Sequence, residues 1–204
     1  DIQIEAPDGR PLYKTGQKSV LPGDRIVLLG PNGTGKTQLV KMIQQALTGS
    51  SGLVKCAPSV VPAYSDQHLS LLSDSDTPMT TVAGTFNIGD QRARGVLAGA
   101  GVTMQMQDTK IGALSGGQKA RLAMLVLRLQ NPNFYLLDEP TNHLNIEGQE
   151  ALEDELIKLD ASCLLVSHDR SFLRQVGNRF WWINGKKLEE VESPEPFLNE
   201  EMGT

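Results

Sequence analysis

The sequence predicts an α/β fold: a largely parallel sheet flanked by helices, with a small antiparallel β part and a helical insert. Three observations predict it. Apolar runs too short for helices, RIVLLG, FYLLD and CLLVS, alternate with stretches of helical periodicity, as strands joined by crossover helices do. A glycine-rich loop lies between the first of these runs and the first periodic stretch. The middle third, from about Gln67 to Ala113, is poor in strand signals and rich in Ser, Asp, Thr and Gly.

The opening DIQIE alternates apolar and polar residues like a half-buried strand, and PDGRP follows as a turn. A second strand is expected within Tyr13 to Val20. Pro22-Gly23-Asp24 then turns the chain into RIVLLG, whose β-forming residues read as a buried strand. Beyond the glycine loop, Leu39, Ile43 and Leu47 recur at helical spacing with Met42 and Ala46 beside them, and Gly49 is placed as the C-cap. A helical subdomain is expected over about 68–118, with one short helix around Gln91 to Leu97. Leu122, Leu125, Val126 and Leu129 share a helical face, and Asn131-Pro132-Asn133 ends it. A strand at FYLLD, a helix from about Glu147 to Leu159, a strand at CLLVS and a short helix from Ser171 follow. RFWWINGKKLEEV reads as a hairpin over Asn184-Gly185, trailed by an acidic tail expected to be loose.

The 204 residues suit one domain, 1–204, able to bury a core without staples. With 19 Lys plus Arg against 24 Asp plus Glu, the net charge of -5 argues against a general nucleic-acid-coating surface, so any RNA or DNA contact must be local. Cys56 and Cys163 lack metal-site spacing and read as reduced apolar fillers. No apolar run approaches the roughly 18 residues of a membrane span, and no basic-then-apolar leader opens the chain. A soluble, cytoplasmic protein is therefore expected. The chain opens on Asp1 instead of Met, which raises the expectation of a fragment or excised domain.

GPNGTGKT, residues 30 to 37, fits G-x-x-x-x-G-K-[ST] and lies between a buried strand and a helix, as its mechanism requires. Backbone N–H groups around Gly33 and Gly35 wrap phosphates, Lys36 reaches the β and γ oxygens, and Thr37 offers its hydroxyl to Mg²⁺. This strand, phosphate loop and helix form the unit of a P-loop NTPase. FYLLDEP places two acids after a buried strand; a buried acid is costly without an ionic partner, and Mg²⁺ is that partner for Asp138. Glu139 is then free to orient and deprotonate water as a general base. CLLVSHD puts His168 just past another buried strand, on the sheet edge where ligands collect, within reach of a γ-phosphate or the attacking water. His68 and His143 read as structural. Gln67 read by position alone is an ordinary solvated loop residue.

LSGGQ, residues 114 to 118, is a second anion-holding device: two glycines after a serine at a helix entrance. In order, GPNGTGKT, Gln67, LSGGQ, LLDEP and SHD resemble the nucleotide-binding domain of an ABC-type ATPase over nearly the whole chain. The resemblance implies ATP and Mg²⁺ as cofactors. Gly30, Pro31, Asn32, Gly33, Thr34, Gly35, Lys36 and Thr37 match its Walker A loop; Asp138 and Glu139 match the Walker B pair. Gln67 matches the Q-loop, and so becomes a ligand of Mg²⁺ or water, while His168 matches the switch histidine. Ser115, Gly116, Gly117 and Gln118 match the signature, which in this family serves the nucleotide of a second domain paired head to tail.

DEPTNHL at 138–144, SHDRSFL at 167–173, and FWWINGKKLEE with its acidic tail resemble the second ATP-binding domain of ABC-F proteins. These carry two such domains, no membrane domain, and work on ribosomes as translation factors or antibiotic protectors. The alternative is the ATPase subunit of an ABC membrane transporter, where DEPTSALD is commoner. No long coiled coil separates the motifs, against a chromosome-scaffold ATPase, and a non-catalytic module would lack Lys36 or Glu139. Two departures stand out. Asn145 replaces an Asp in the loop that touches the partner domain. Pro7 replaces the aromatic that stacks on adenine; Tyr13 is read as a packed strand residue, with a substitute stacker as its alternative.

Overall fold

The computed structural model describes residues 1–49, 54–142, 144–158 and 162–200. In chain order the elements are β1 (Gln3–Glu5), β2 (Pro11–Lys14), β3 (Arg25–Leu29), α1 (Lys36–Leu47), β4 (Pro62–Ser65), α2 (Pro78–Phe86), α3 (Asp90–Gly99) and α4 (Met104–Gln107). They continue as α5 (Gly116–Leu129), β5 (Phe134–Asp138), α6 (Ile146–Lys158), β6 (Ser162–Val166), α7 (Arg170–Val176), β7 (Arg179–Asn184), β8 (Lys187–Val191) and α8 (Glu195–Glu200).

Among the described residues one sheet runs β1-β2-β8-β7-β3-β6-β5-β4. From β7 to β4 every neighbouring pair is parallel, while β1 with β2 and β7 with β8 are antiparallel. This is the P-loop NTPase fold with the antiparallel part the sequence predicts. β3 shows why its residues make a central strand: Val27 and Leu29 enter one core, Ile26 and Leu28 the other, so both faces demand apolar side chains. α1 covers one face with Leu39 and Val40; Leu127 of α5, Leu152 and Leu156 of α6 and Phe172 of α7 cover the other. A third core joins Met79, Val82, Leu97 and Ile111 to Leu122 and Leu125, so α5 belongs to both the sheet layer and the helical insert.

Caps define several boundaries. Thr77 and Thr80 form a reciprocal box ahead of Pro78 at the start of α2, and the Asp169 carboxylate accepts the Phe172 N–H at the start of α7. Gly49 sits one residue beyond the Thr48 C-cap of α1, in the left-handed conformation (φ +80) that closes helices.

Four expectations are corrected. The second strand occupies Pro11–Lys14, not Tyr13 to Val20, because Gly16 turns the chain at φ +63. β4 is an additional edge strand. The insert holds α2 and α4 besides the helix around Gln91 to Leu97. The tail is not loose through residue 198: α8 buries Phe197 and Leu198 in the core, with the Phe197 ring 6.4 Å from that of Trp182. His143, Leu159 and residues 201–204 lie outside the described residues.

Candidate functional site

β3, β6 and β5 are adjacent and parallel, so the residues that follow them emerge on one edge of the sheet. Asp138 pairs with Val166 at the end of β5 and β6, which brings the Asp138–Glu139 step beside the Ser167–His168 step. β4 continues the row, and Gln67 follows it at the same edge. A single cavity of about 520 Å³ is lined by Asn32, Gly33, Gly35, Lys36, Thr37, Gln67, Asp138, Glu139 and His168. Residues from four separate stretches of sequence thus meet around one space.

The loop's geometry follows from its glycines. Gly33 (φ +76) and Gly35 (φ +102) take backbone angles that L-residues rarely adopt. Gly35 caps α1 with no side chain, so no side-chain cap stands between the helix N-terminus and an anion. Lys36 is buried, and its ammonium donates to the carbonyls of Gly30 (2.5 Å) and Pro31 (3.1 Å), at the mouth of the loop. Thr37 hydrogen-bonds Asp138, which is only 4% exposed. Burial pushes the Asp138 carboxyl above its ordinary pKa, against the opposing pull of Thr37 and Lys36. A carboxylate and a hydroxyl side by side are the hard oxygen donors of a Mg²⁺ site completed by phosphates and water, so the residues present fit that ion. Among the described residues no group of three or more His, Cys, Asp and Glu gathers as an all-protein metal cage.

Glu139 holds a left-handed backbone (φ +53), with its N–H donated to the Val166 carbonyl at 2.7 Å. That turn aims the carboxylate at His168: one oxygen accepts the His168 backbone N–H at 3.3 Å, and the other lies 3.2 Å from Nε2. Burial raises the Glu139 pKa, and His168 partly offsets this. The buried hydroxyls of Thr141 and Ser167 lie 3.0 Å apart and tie the two post-strand loops together, and the Asp169 N–H donates to Ser167. Sequence reasoning missed this pair; a hydroxyl three residues past Asp138 and another just past β6 were its only traces. Gln67 is exposed at the rim, its amide nitrogen 3.1 Å from Nε2 of His68, which is itself exposed and not packed in a core.

Ser115, Gly116, Gly117 and Gln118 do not line this cavity. They border a second one of about 590 Å³, beside Arg121, Met124, Leu144 and Asn145, and among the described residues the two cavities share no lining residue. At the entrance of α5 the Gln118 N–H donates to the Ser115 hydroxyl (3.3 Å) and the Ser115 N–H to the Gln118 side-chain oxygen (2.9 Å). Ser115 and Gln118 are thus a capping box, a role their spacing carries and sequence reasoning overlooked. Asn145 accepts the Gly148 N–H at 3.0 Å at the start of α6. Tyr13 is 1% exposed, packed under Gly35 with its hydroxyl 3.4 Å from the Gly35 carbonyl, so it is a strand residue and presents no face to a base.

A family model described as "ABC transporter" matches residues 14–142, well over half of the chain. The "Probable ATP-binding protein YheS" of Haemophilus influenzae is 35% identical over 192 residues, covering 91% of this chain and 30% of the relative. The "ATP-binding protein Uup" of Escherichia coli K12 is 36% identical over 183 residues, covering 87% of this chain and 29% of the relative. The chain therefore spans about a third of the length of these relatives. A solved structure described as "Dimeric structure of a post-hydrolysis state of the ATP-binding cassette MJ0796 bound to ADP and Pi" superposes with a TM-score of 0.72 at 20% identity, covering 89% of this chain and 90% of that one. Strand-end acids, phosphate loop and a separately placed signature on this fold, with the family match spanning most of them, lead to one assignment: the chain belongs to the ABC ATPase family.

Proposed function

We propose that this chain, taken as one nucleotide-binding domain over 1–204 with a helical subdomain at about 68–118, is an ATP-hydrolysing half of a soluble, cytoplasmic ABC-F protein that acts on the ribosome. It works as a head-to-tail pair with a second ABC domain. The observation that carries the pairing is the separation of the two cavities: the phosphate loop and acids surround one, the signature borders the other. A γ-phosphate held by this chain's loop is then closed over by another domain's signature.

Within the first cavity the start of α1 and the Lys36 ammonium hold the β- and γ-phosphates. Thr37, Asp138 and Gln67 would hold Mg²⁺, which when bound would neutralise developing phosphate charge. Glu139, ionised, takes the proton of the attacking water, and His168 orients that carboxylate through the contacts already present. The ribosomal role is supported by the DEPTNHL and SHDRSFL motifs and by the ATP-binding relatives, of whose length this chain fills about a third, leaving room for a second cassette.

Mixing two inactive variants tests the pairing. Ser115→Arg and Lys36→Ala chains are each expected to be inactive alone, whereas the mixed pair holds one site with an intact loop and an intact signature. Partial recovery of ATPase activity is expected, and activity per molecule should rise with protein concentration. Full activity of dilute Ser115→Arg monomer would overturn the shared site. Ribosome association is tested in the full-length protein carrying Glu139→Gln, which should co-sediment with ribosomes in ATP; absence from the ribosomal pellet would overturn that part.

A further inference from the structure

The entrance of α5 is hung on the segment that leads into the helical insert. The Ile111 N–H donates to the Asp76 carbonyl (2.8 Å) and the Gly112 N–H to the Asp74 carbonyl (3.0 Å). The approach is close: a Cβ at Gly112 would stand 3.1 Å from that carbonyl oxygen and 3.3 Å from the Asp74 Cβ, so a larger residue would push the two apart. From the same residue the Asp74 carboxylate reaches the Lys119 ammonium at 2.8 Å. Lys119 lies one helical turn past Ser115, to whose carbonyl its backbone N–H donates at 2.9 Å. One aspartate therefore holds the chain on both sides of the signature, before it at Gly112 and after it at Lys119.

A cation so close to the start of a helix opposes the macrodipole, which favours anions there, so Lys119 calls for an anionic partner. A nucleotide phosphate is one candidate and Asp74 the other. The ammonium is turned to Asp74, and Lys119 is absent from the lining of the second cavity, to which its neighbours Gln118 and Ala120 both contribute. We propose that Asp74 is a positioning residue for the signature: through Lys119 it fixes the rotation of the first turn of α5, and so the direction in which Ser115, Gly116 and Gly117 meet the second domain's γ-phosphate. The proposal rests on the head-to-tail pairing. Asp74 does not line the first cavity, although it lies on the connector that leads there from Gln67, so its effect falls on the other domain's nucleotide and not on this chain's own. The Asp74 side chain is 74% exposed, and an ion pair so placed contributes little to folding stability, so variants of it keep the fold.

Mixed pairs separate the two directions of action. With Lys36→Ala chain in excess, the working site uses the test chain's phosphate loop and the partner's signature. With Ser115→Arg chain in excess, it uses the partner's loop and the test chain's signature. Asp74→Lys sets two ammonium groups against each other. It should match the wild-type chain in the first mixture and lose ATPase activity by up to about 100-fold in the second, the cost of a displacement of about 1 Å. Asp74→Ala should show the same split more weakly, and Asp74→Lys combined with Lys119→Asp should recover much of the lost activity. A loss confined to the first mixture would assign Asp74 to its own chain's cavity, and equal losses in both would make the pair merely structural; either overturns the inference, as does no loss in either mixture. No recovery in the exchanged pair would make Lys119 itself the phosphate ligand and overturn it too. If the wild-type chain is inactive in both mixtures, the head-to-tail pairing itself has failed and the inference falls with it.

Discussion

Two glycines of one loop should differ sharply when each gains a methyl group. Gly33→Ala and Gly35→Ala both force an L-residue into positive φ, a conformational cost of about 1–2 kcal/mol. At Gly33 nothing lies within 4 Å of the added carbon, so the cost ends there. At Gly35 the new carbon stands 2.6 Å from a Leu12 methyl and 3.3 Å from the Tyr13 ring. Leu12 can swing aside, but Tyr13 is enclosed, and overpacking of this kind adds about 1–3 kcal/mol. Urea unfolding of the nucleotide-free chain should therefore show Gly33→Ala destabilised by ~1–2 kcal/mol and Gly35→Ala by ~2–5 kcal/mol. Leu12→Ala opens the contested space, so Gly35→Ala should cost less in that background than alone. Equal losses at the two glycines, or no coupling to Leu12, would show that β2 does not press on the loop.

Glu139→Gln should slow hydrolysis ~10²- to 10⁴-fold while leaving ADP affinity unchanged, measured with the paired domain supplied. Because burial raises the Glu139 pKa and the base acts only when ionised, the wild-type rate should begin to fall with decreasing pH earlier than an ordinary carboxylate dictates; a pH–rate profile checks this. Asp138→Asn should stabilise the nucleotide-free chain at neutral pH. The native carboxyl keeps its proton to higher pH than the unfolded one, so folding stability drops as pH rises through that interval; the advantage of Asn should vanish in acid, where both states are protonated. Phe197→Ala should cost ~3–5 kcal/mol by denaturant unfolding, with a change in Trp182 emission.

The phosphate loop, the acids after β5 and His168 were legible because each follows a strand buried on both faces, whose unbroken apolar run announces it. β4 was not, because PAYS is short, begins with Pro62 and, among the described residues, pairs only with β5 at the sheet edge, so its sequence carries little apolar signal. α2 escaped for a different reason: Thr80, Thr81 and Val82 are poor helix formers, and it is the Thr77–Thr80 box, Pro78 and tertiary burial of Met79 and Val82 that hold it. The final helix was masked by its acids, although Pro194 and the Phe197-Leu198 pair were its visible anchors. The chemistry at Glu139 depends on its left-handed backbone and the neighbouring β6 end, which only three-dimensional pairing supplies.

The place of β3 in the middle of the sheet sets a timetable for folding. Its partners begin at Cys163 on one side and Arg179 on the other, so the strand that carries the phosphate loop is made early and waits for most of the chain to appear before either edge is covered. The helical insert closes over contacts among near neighbours and has no such wait. Local contacts form faster than distant ones, so the insert is expected to condense first and the loop to acquire its shape last, when β6 and β7 arrive. Until then RIVLL is an apolar strand with two open edges, exposed to aggregation while the rest of the chain is made.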